Sequence, residues 1–149
     1  MKSKEVKVHF QLVQDEDDWP PFTVESIWCT DLGDGRFQVN NVPYFVKGVS
    51  FGDLIVTKAR EGGAWFDHVD VPSRNSTVHI FSFDDGKTQD MIDWARQHDC
   101  IFEMAYERQY MALSVPEAVP ATQWMAKLKA LESVADDGFE FDVSSMRHP

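Results

Sequence analysis

The feature that most constrains the fold is a change of hydrophobic period near residues 72–75, Pro-Ser-Arg-Asn. Before this point apolar and polar residues alternate in short runs, which is the pattern of half-buried strands. After it, two longer segments carry apolar residues at helical spacing. The sequence therefore predicts an all-β unit over residues 1–72 and an α+β unit over residues 73–149, packed as one body.

The first part predicts a small SH3-like β-barrel. Its short runs are rich in β-branched and aromatic residues and predict strands at residues 6–12, 23–29, 36–40, 54–59 and 64–71. Residues 41–53 separate the third strand from the fourth and close this β layer. Their glycines, Gly48 and Gly52, are expected to supply positive φ or a close approach at a turn. Five strands with tight turns and no helix are typical of such barrels.

The second part predicts a ferredoxin-like βαββαβ unit. Residues 84–87 predict a turn, and Thr88 is the expected N-cap of a helix that runs through His98. Pro120 leads into a second helix that ends at Gly138. The apolar stripe of this second helix comprises Trp124, Leu128, Leu131 and Ala135. Strands are predicted at residues 77–83, 100–107, 110–115 and 139–143.

Charge excludes several classes of partner. The formal net charge is −11, which argues against nucleic acid, whose phosphates need a basic face, and against anionic membrane surfaces. The same charge permits a basic protein partner, although solubility alone would also explain it. No apolar run approaches the roughly 20 residues of a membrane span, and the first residues lack the apolar core of a signal peptide. We therefore expect a cytoplasmic protein.

One short motif resembles a catalytic one. Gly48-Val-Ser50-Phe-Gly52 fits G-x-S-x-G, the nucleophile elbow, which requires a turn from a strand into a helix. The residues that follow, Leu-Ile-Val-Thr at 54–57, predict a strand instead. Ser50 is therefore not expected to be a nucleophile, and Asp53 is expected to be an ordinary turn residue.

Motifs for metals and cofactors are also missing from the sequence. None of the five histidines lies three or four residues from another histidine or a cysteine. Cys29 and Cys100 form no C-x-x-C pair and are expected to stay reduced and buried. Residues 84–88 imitate the end of a P-loop, but Phe81 stands where that motif requires glycine. The sequence thus predicts no metal, no cofactor and no enzymatic activity.

Several segments together resemble a known family. Most of them lie in the first half of the chain, and they are residues 8–10, 15–22, 25–28, 32–35, 41–45, 47–53 and 74–78. Together they resemble the bacterial domain-of-unknown-function 4265 family. The resemblance implies a small, soluble bacterial protein and implies no activity and no site residue.

Acidic residues beside aromatic ones are the best candidates for a functional site. The acidic run at residues 15–18 leads directly into Trp19, and such a grouping suits an interface that pairs lysines and buries an aromatic anchor. Alternatively, Trp19 plugs one end of the barrel. A second acidic group lies at the start of the first predicted helix. The candidate partner-binding residues are Asp15, Glu16, Asp17, Asp18, Trp19, Asp84, Asp85, Asp90 and Asp93.

We therefore expect a non-enzymatic acidic binding protein, specifically an intracellular immunity protein that neutralises a cognate inter-bacterial, contact-dependent toxin such as a nuclease. A small acidic protein can mask a basic catalytic cleft through complementary charge. The alternative is a small-molecule-binding regulatory domain, and a third class is an enzyme with dispersed catalytic residues.

Overall fold

The structure, a computed structural model, describes residues 4–132 and 138–149 of the chain. Over these residues it is a mixed α+β protein with a closed five-stranded barrel, a second sheet and two helices. The chain divides into two compact units, Met1–Ser73 and Arg74–Pro149. None of the helices in the described part is long and apolar enough to cross a membrane.

The first unit is the barrel. Its strands are β1 (Lys4–Gln11), β2 (Val24–Asp31), β3 (Arg36–Val39), β4 (Leu54–Arg60) and β5 (Gly63–Val71). Each strand pairs antiparallel with the next, and β1 closes the barrel through a parallel pairing of His9 with Trp65. The predicted strands are thus confirmed to within one or two residues at their ends. Alternate strand side chains fill the interior together with Val49 of the segment between β3 and β4. The strand residues of this core are Val8, Phe10, Ile27, Cys29, Val39 and Ile55.

Residues 41–53 form neither helix nor strand and cross from β3 to β4. Gly48 and Gly52 have φ of 78° and 87°, so the predicted need for positive φ at these turns is confirmed. Two backbone hydrogen bonds fasten the end of this segment to β3: the Gly52 N–H donates to the Val39 carbonyl at 2.8 Å, and the Val39 N–H donates to the Asp53 carbonyl at 2.9 Å.

The second unit is a four-stranded sheet with two helices. Its elements are β6 (Ser76–Ser82), α1 (Asp85–Gln97), β7 (Ile101–Ala105), β8 (Tyr110–Val115), α2 (Ala121–Glu132) and β9 (Phe139–Ser145). The strands lie in the order β7-β8-β6-β9, and all neighbouring pairs are antiparallel. Buried side chains from the helices, including Met91, Ala95, Trp124 and Leu128, pack with those of Val78 and other strand residues into one core.

The N-cap predicted for the first helix is wrong. The cap is Asp84, whose carboxylate accepts hydrogen bonds from the N–H groups of Gly86 at 2.9 Å and Lys87 at 3.1 Å, and α1 begins at Asp85. Thr88 is instead buried one turn inside the helix, where its hydroxyl donates to Ser82 Oγ at 2.7 Å. Residues 85–87 of the predicted turn therefore form the first turn of the helix. The sequence did not separate the two structures, because aspartate is favoured both in turns and at the start of a helix.

Strand β7 is shorter than predicted, and α2 carries the predicted apolar stripe. The strand predicted at residues 100–107 ends earlier, at Ala105, because Tyr106, Glu107 and Arg108 adopt positive φ of 54°, 54° and 74° in the turn before β8. In α2, the stripe is confirmed for three residues that are buried, Trp124, Leu128 and Leu131. Ala135, its fourth member, lies outside the described residues.

Candidate functional site

The acidic run at residues 15–18 forms a tight loop between β1 and β2. One Asp15 carboxylate oxygen accepts hydrogen bonds from the N–H groups of Asp17 at 2.8 Å and Trp19 at 3.0 Å. The Asp15 N–H donates to the Trp19 carbonyl at 2.7 Å. Asp15 therefore shapes the loop, while the side chains of Glu16, Asp17 and Asp18 are exposed to solvent.

Aromatic rings lie directly after this loop. The rings of Trp19 and Phe22 both contact Phe45, with centroids 5.7 and 5.8 Å apart. Trp19 is partly buried, whereas Phe22 is among the exposed residues, with 50% of its surface open to solvent. We call residues 15–18 with Trp19, Phe22 and Phe45 the acidic–aromatic surface. It joins exposed carboxylates to three aromatic rings, of which that of Phe22 is the most open to solvent.

A buried carboxylate positions Phe45 in this surface. Glu25 Oε1 accepts hydrogen bonds from the N–H groups of Phe45 and Val46, both at 3.0 Å, and Oε2 accepts one from Tyr44 at 2.6 Å. Only 9% of Glu25 is exposed. Three backbone donors on one carboxylate hold this part of the 41–53 segment in a single conformation.

Sequence reasoning missed the role of Glu25, although a signal was present. Glu25 is in register with Ile27 and Cys29, the inward-facing residues of β2. An acid in the inward register of a strand indicates a buried acceptor that needs donors. The contact of Trp19 with Phe45 was missed because the two residues lie 26 positions apart and no periodicity connects them.

Asp53 is also a buried acceptor, so the expectation of an ordinary turn residue is wrong. Its two carboxylate oxygens accept hydrogen bonds from the N–H groups of Ser50 at 2.9 Å and Ser73 at 2.8 Å, and the residue has no exposed surface. The Ser73 hydroxyl donates to the Phe51 carbonyl at 2.8 Å. Ser50 is completely buried as well, so its hydroxyl is not presented to solvent as a nucleophile elbow requires.

The second group of candidate residues is largely engaged within its own unit. Asp84 caps α1, and Asp90 accepts a hydrogen bond from the Lys127 ammonium at 2.7 Å. Asp93 accepts one from the side-chain amide of Gln89 at 2.9 Å. The Asp85 side chain is 91% exposed, and one of its carboxylate oxygens lies 4.0 Å from the Arg108 guanidinium. Helix capping, one contact within α1 and one ion pair between α1 and α2 therefore account for Asp84, Asp93 and Asp90.

A small cavity lies beneath the first turn of α1. Its volume is about 10 Å³, and Ser82, Thr88 and Arg108 are among the residues that line it. That volume holds about one water molecule, whereas pockets for metabolites are on the order of 300–1,000 Å³. This cavity does not support a small-molecule site.

The two thiols and His148 have structural surroundings. Burial raises the pKa of Cys29 to about 12 and that of Cys100 to about 11, so both remain protonated thiols at neutral pH. His148 is buried: its Nδ1 lies 2.6 Å from Ser76 Oγ and its Nε2 lies 3.0 Å from the Pro116 carbonyl. Within the described ranges, no group of three or more histidine, cysteine or acidic side chains could hold a metal ion.

These features define a small mixed α+β protein that joins a β-barrel to a helix-covered sheet and carries an acidic–aromatic surface on the barrel. Residues 25–138 match the family model described as "Domain of unknown function (DUF4265)", and the chain belongs to that family. The predicted family resemblance is thus confirmed. The match begins at Glu25 and leaves out the 15–18 loop.

One solved structure is similar along nearly the whole chain. It is titled "Novel crystal structure of a hypothetical protein from Neisseria gonorrhoeae" and superposes with a TM-score of 0.73 at 15% sequence identity. The similarity covers 95% of this chain and 96% of that one, and at this identity it concerns the fold alone. No curated protein matches the sequence.

Proposed function

We propose that this protein is a non-enzymatic binding protein whose acidic–aromatic surface binds a basic region of another protein. The observation that carries the proposal is the position of exposed Phe22 and half-buried Trp19 against Phe45, beside three exposed carboxylates. Buried aromatic anchors contribute most of the free energy of binding at protein interfaces, and surrounding charges accelerate encounter with a partner of opposite sign.

The rigidity of this surface supports the proposal. Phe45 is held by the Glu25 carboxylate through its own backbone and those of its two neighbours. A ring that is ordered before binding loses less conformational entropy when the partner covers it. The loop is shaped in the same way by Asp15, which leaves Glu16, Asp17 and Asp18 to face a partner.

The partner class that fits this chemistry is a toxin domain with a basic cleft, and the protein would then act as its immunity protein. A net charge of −11 in a chain of 149 residues complements the cationic substrate-binding surface that a nuclease toxin needs. An inhibitor that occupies such a surface blocks the toxin without chemistry of its own. The binding protein acts in this role inside the cell that produces the toxin.

We further propose an SH3-like class for the barrel and a ferredoxin-like class for the second unit. The barrel is a five-stranded meander, and strand order β7-β8-β6-β9 with antiparallel neighbours is the arrangement of a split βαβ unit. Proteins of both classes use their surfaces for many unrelated functions, so neither class by itself indicates a function.

The test is a binding titration against purified nuclease toxin domains of the host organism, in a catalytically inactive form. Phe22→Ala should weaken binding by at least about tenfold, mainly through faster dissociation. Reversing Glu16, Asp17 and Asp18 to lysine should slow association, more strongly at low salt than at high salt. Reversing Asp85 in the other unit is the matched charge control. Failure to bind the toxin, or equal binding by all variants, would refute the proposal.

A further inference from the structure

The outer wall of the barrel carries a second surface of opposite charge. Because Val8 and Ile27 point inward, their neighbours in β1 and β2 point outward. Lys7 lies opposite Trp28 in the β1–β2 register, and His9 lies opposite Trp65 where β1 meets β5. Lys58 of β4 lies opposite Trp65 in turn. We call Lys7, His9, Trp28, Lys58, Arg60 and Trp65 the basic–aromatic face.

Each tryptophan in this face has a cation against its ring. The Lys7 ammonium lies 5.2 Å from the centroid of the Trp28 ring, and the Arg60 guanidinium lies 4.4 Å from that of Trp65. The His9 ring also contacts Trp65, with centroids 5.2 Å apart. Trp28 is 47% exposed. Indole rings and cations in this arrangement are the residue types enriched where proteins bind each other.

Backbone contacts fix the orientation of the face. The Trp65 indole N–H donates to the Glu61 carbonyl at 3.1 Å. His9 Nε2 lies 3.1 Å from the Gly62 carbonyl, and its Nδ1 lies 2.6 Å from Ser26 Oγ. Because these hydrogen bonds hold the rings of Trp65 and His9, that part of the face is ordered before any ligand arrives, which lowers the entropy lost on binding.

The charges of the face are unusual for this chain. Among the described residues, Lys7 and Arg60 have no carboxylate within salt-bridge distance, whereas Lys58 lies 3.6 Å from Asp67. In a protein with a net charge of −11, two cations stacked on tryptophans and unpaired with acids favour an anionic ligand. The face has too few cations to follow a phosphate backbone, whereas two cations are enough to pair with single carboxylates.

We propose that the basic–aromatic face binds an acidic segment of a protein partner, in which carboxylates lie beside apolar or aromatic side chains. The carboxylates pair with Lys7 and Arg60, and the apolar side chains pack on the exposed faces of Trp28 and Trp65. This surface is separate in residues and in charge from the acidic–aromatic surface. The barrel thereby offers a site for an acidic segment in addition to the one proposed for a basic partner.

The test uses three labelled probes and fluorescence anisotropy with the full chain. The probes are a peptide of alternating glutamate and tryptophan, its lysine–tryptophan counterpart and a single-stranded oligothymidine. The glutamate peptide should bind, and salt should weaken the complex. Arg60→Glu and Lys7→Glu together should lower its affinity by at least about tenfold, and Trp28→Ala should lower it as well.

Two control variants show whether the glutamate peptide binds at this face. Lys129→Glu, which changes an exposed cation in the second unit, should leave the affinity for the peptide unchanged. Lysine substitutions at Glu16, Asp17 and Asp18 should not reduce that affinity either, so this test stands apart from that of the proposed function. The inference would be overturned if the glutamate peptide did not bind, or if the variant with Arg60→Glu and Lys7→Glu bound it as tightly as the wild type. Tighter binding of the oligothymidine than of the glutamate peptide would overturn it too.

Discussion

Replacing Glu25 by glutamine tests how the barrel holds its longest connection. The substitution keeps the size of the side chain and removes only its charge and one acceptor oxygen. The amide oxygen can take the place of Oε1 and keep the contacts to Phe45 and Val46 as weaker, neutral hydrogen bonds. The new NH₂ group then faces the Tyr44 N–H, donor against donor.

The magnitude follows from these three contacts. A hydrogen bond to a charged group contributes about 1.5–3 kcal/mol, and a buried donor left without an acceptor costs about 1–3 kcal/mol. Loss of the Tyr44 contact and weakening of the other two therefore remove about 3 kcal/mol, of which about 1 kcal/mol is offset because no buried charge remains. We expect Glu25→Gln to lower the free energy of unfolding by about 2 kcal/mol, and Glu25→Ala, which keeps none of the contacts, by about 4 kcal/mol.

The assay is urea denaturation, together with amide hydrogen exchange that reports on the barrel residue by residue. In Glu25→Gln, exchange of the Tyr44, Phe45 and Val46 amides should accelerate more than that of the β1–β2 ladder. Glu61→Gln is the matched control, because Glu61 belongs to the same unit and is exposed. If Glu25→Gln stayed within about 0.5 kcal/mol of the wild type, the proposed role of the buried carboxylate would be wrong.

The other predictions concern the helix cap, the thiols and the serine. Asp84→Ala should lower the free energy of unfolding by about 1 kcal/mol in urea titrations because it removes the N-cap of α1, while Asp85→Ala should change it by less than about 0.5 kcal/mol. Burial raises the pKa of Cys29 to about 12 and that of Cys100 to about 11, above their ordinary value of 9.0. The unfolded chain therefore releases these protons first, so stability should fall as pH rises from 9 toward 12, and a Cys29→Ala/Cys100→Ala variant should lose that part of the slope. At pH 7, iodoacetamide should alkylate these two thiols in the urea-unfolded chain but not in the native protein. A serine-reactive fluorophosphonate should leave Ser50 unlabelled, because its side chain is buried; stoichiometric labelling that vanishes in Ser50→Ala would contradict this.

The sequence predicted those strands and helices that are marked by a pattern within their own residues. β8 covers residues 110–115 as predicted, because six residues with a strand pattern lie between a turn and a proline. The helical stripe through Trp124, Leu128 and Leu131 was equally clear. Thr88 and Asp84 are both good N-cap residues four positions apart, and only the fold decides which of them starts the helix.

The candidate site was predictable only in part. Acidity followed by a tryptophan is visible at residues 15–19, and the exposed carboxylates of Glu16, Asp17 and Asp18 agree with a solvent-facing loop. The contact of Trp19 with Phe45 is not visible in the sequence, because Phe45 is placed by a carboxylate 20 residues away in the chain. Long-range contacts between polar side chains and backbone leave no periodic pattern, so local reasoning cannot find them.

Strand β2 links the stability of the barrel to both proposed surfaces. Its inward-facing Glu25 fixes the backbone of Phe45, on which Trp19 and Phe22 pack, while its outward-facing Trp28 belongs to the basic–aromatic face. Successive residues of a strand face opposite sides, so the two roles can be perturbed separately. Glu25→Gln should therefore weaken binding at the acidic–aromatic surface through loss of order, even though Glu25 itself touches no partner. Trp28 and the Lys7 ammonium above it depend on the β1–β2 ladder instead, and the same substitution should leave binding of an acidic peptide there unchanged.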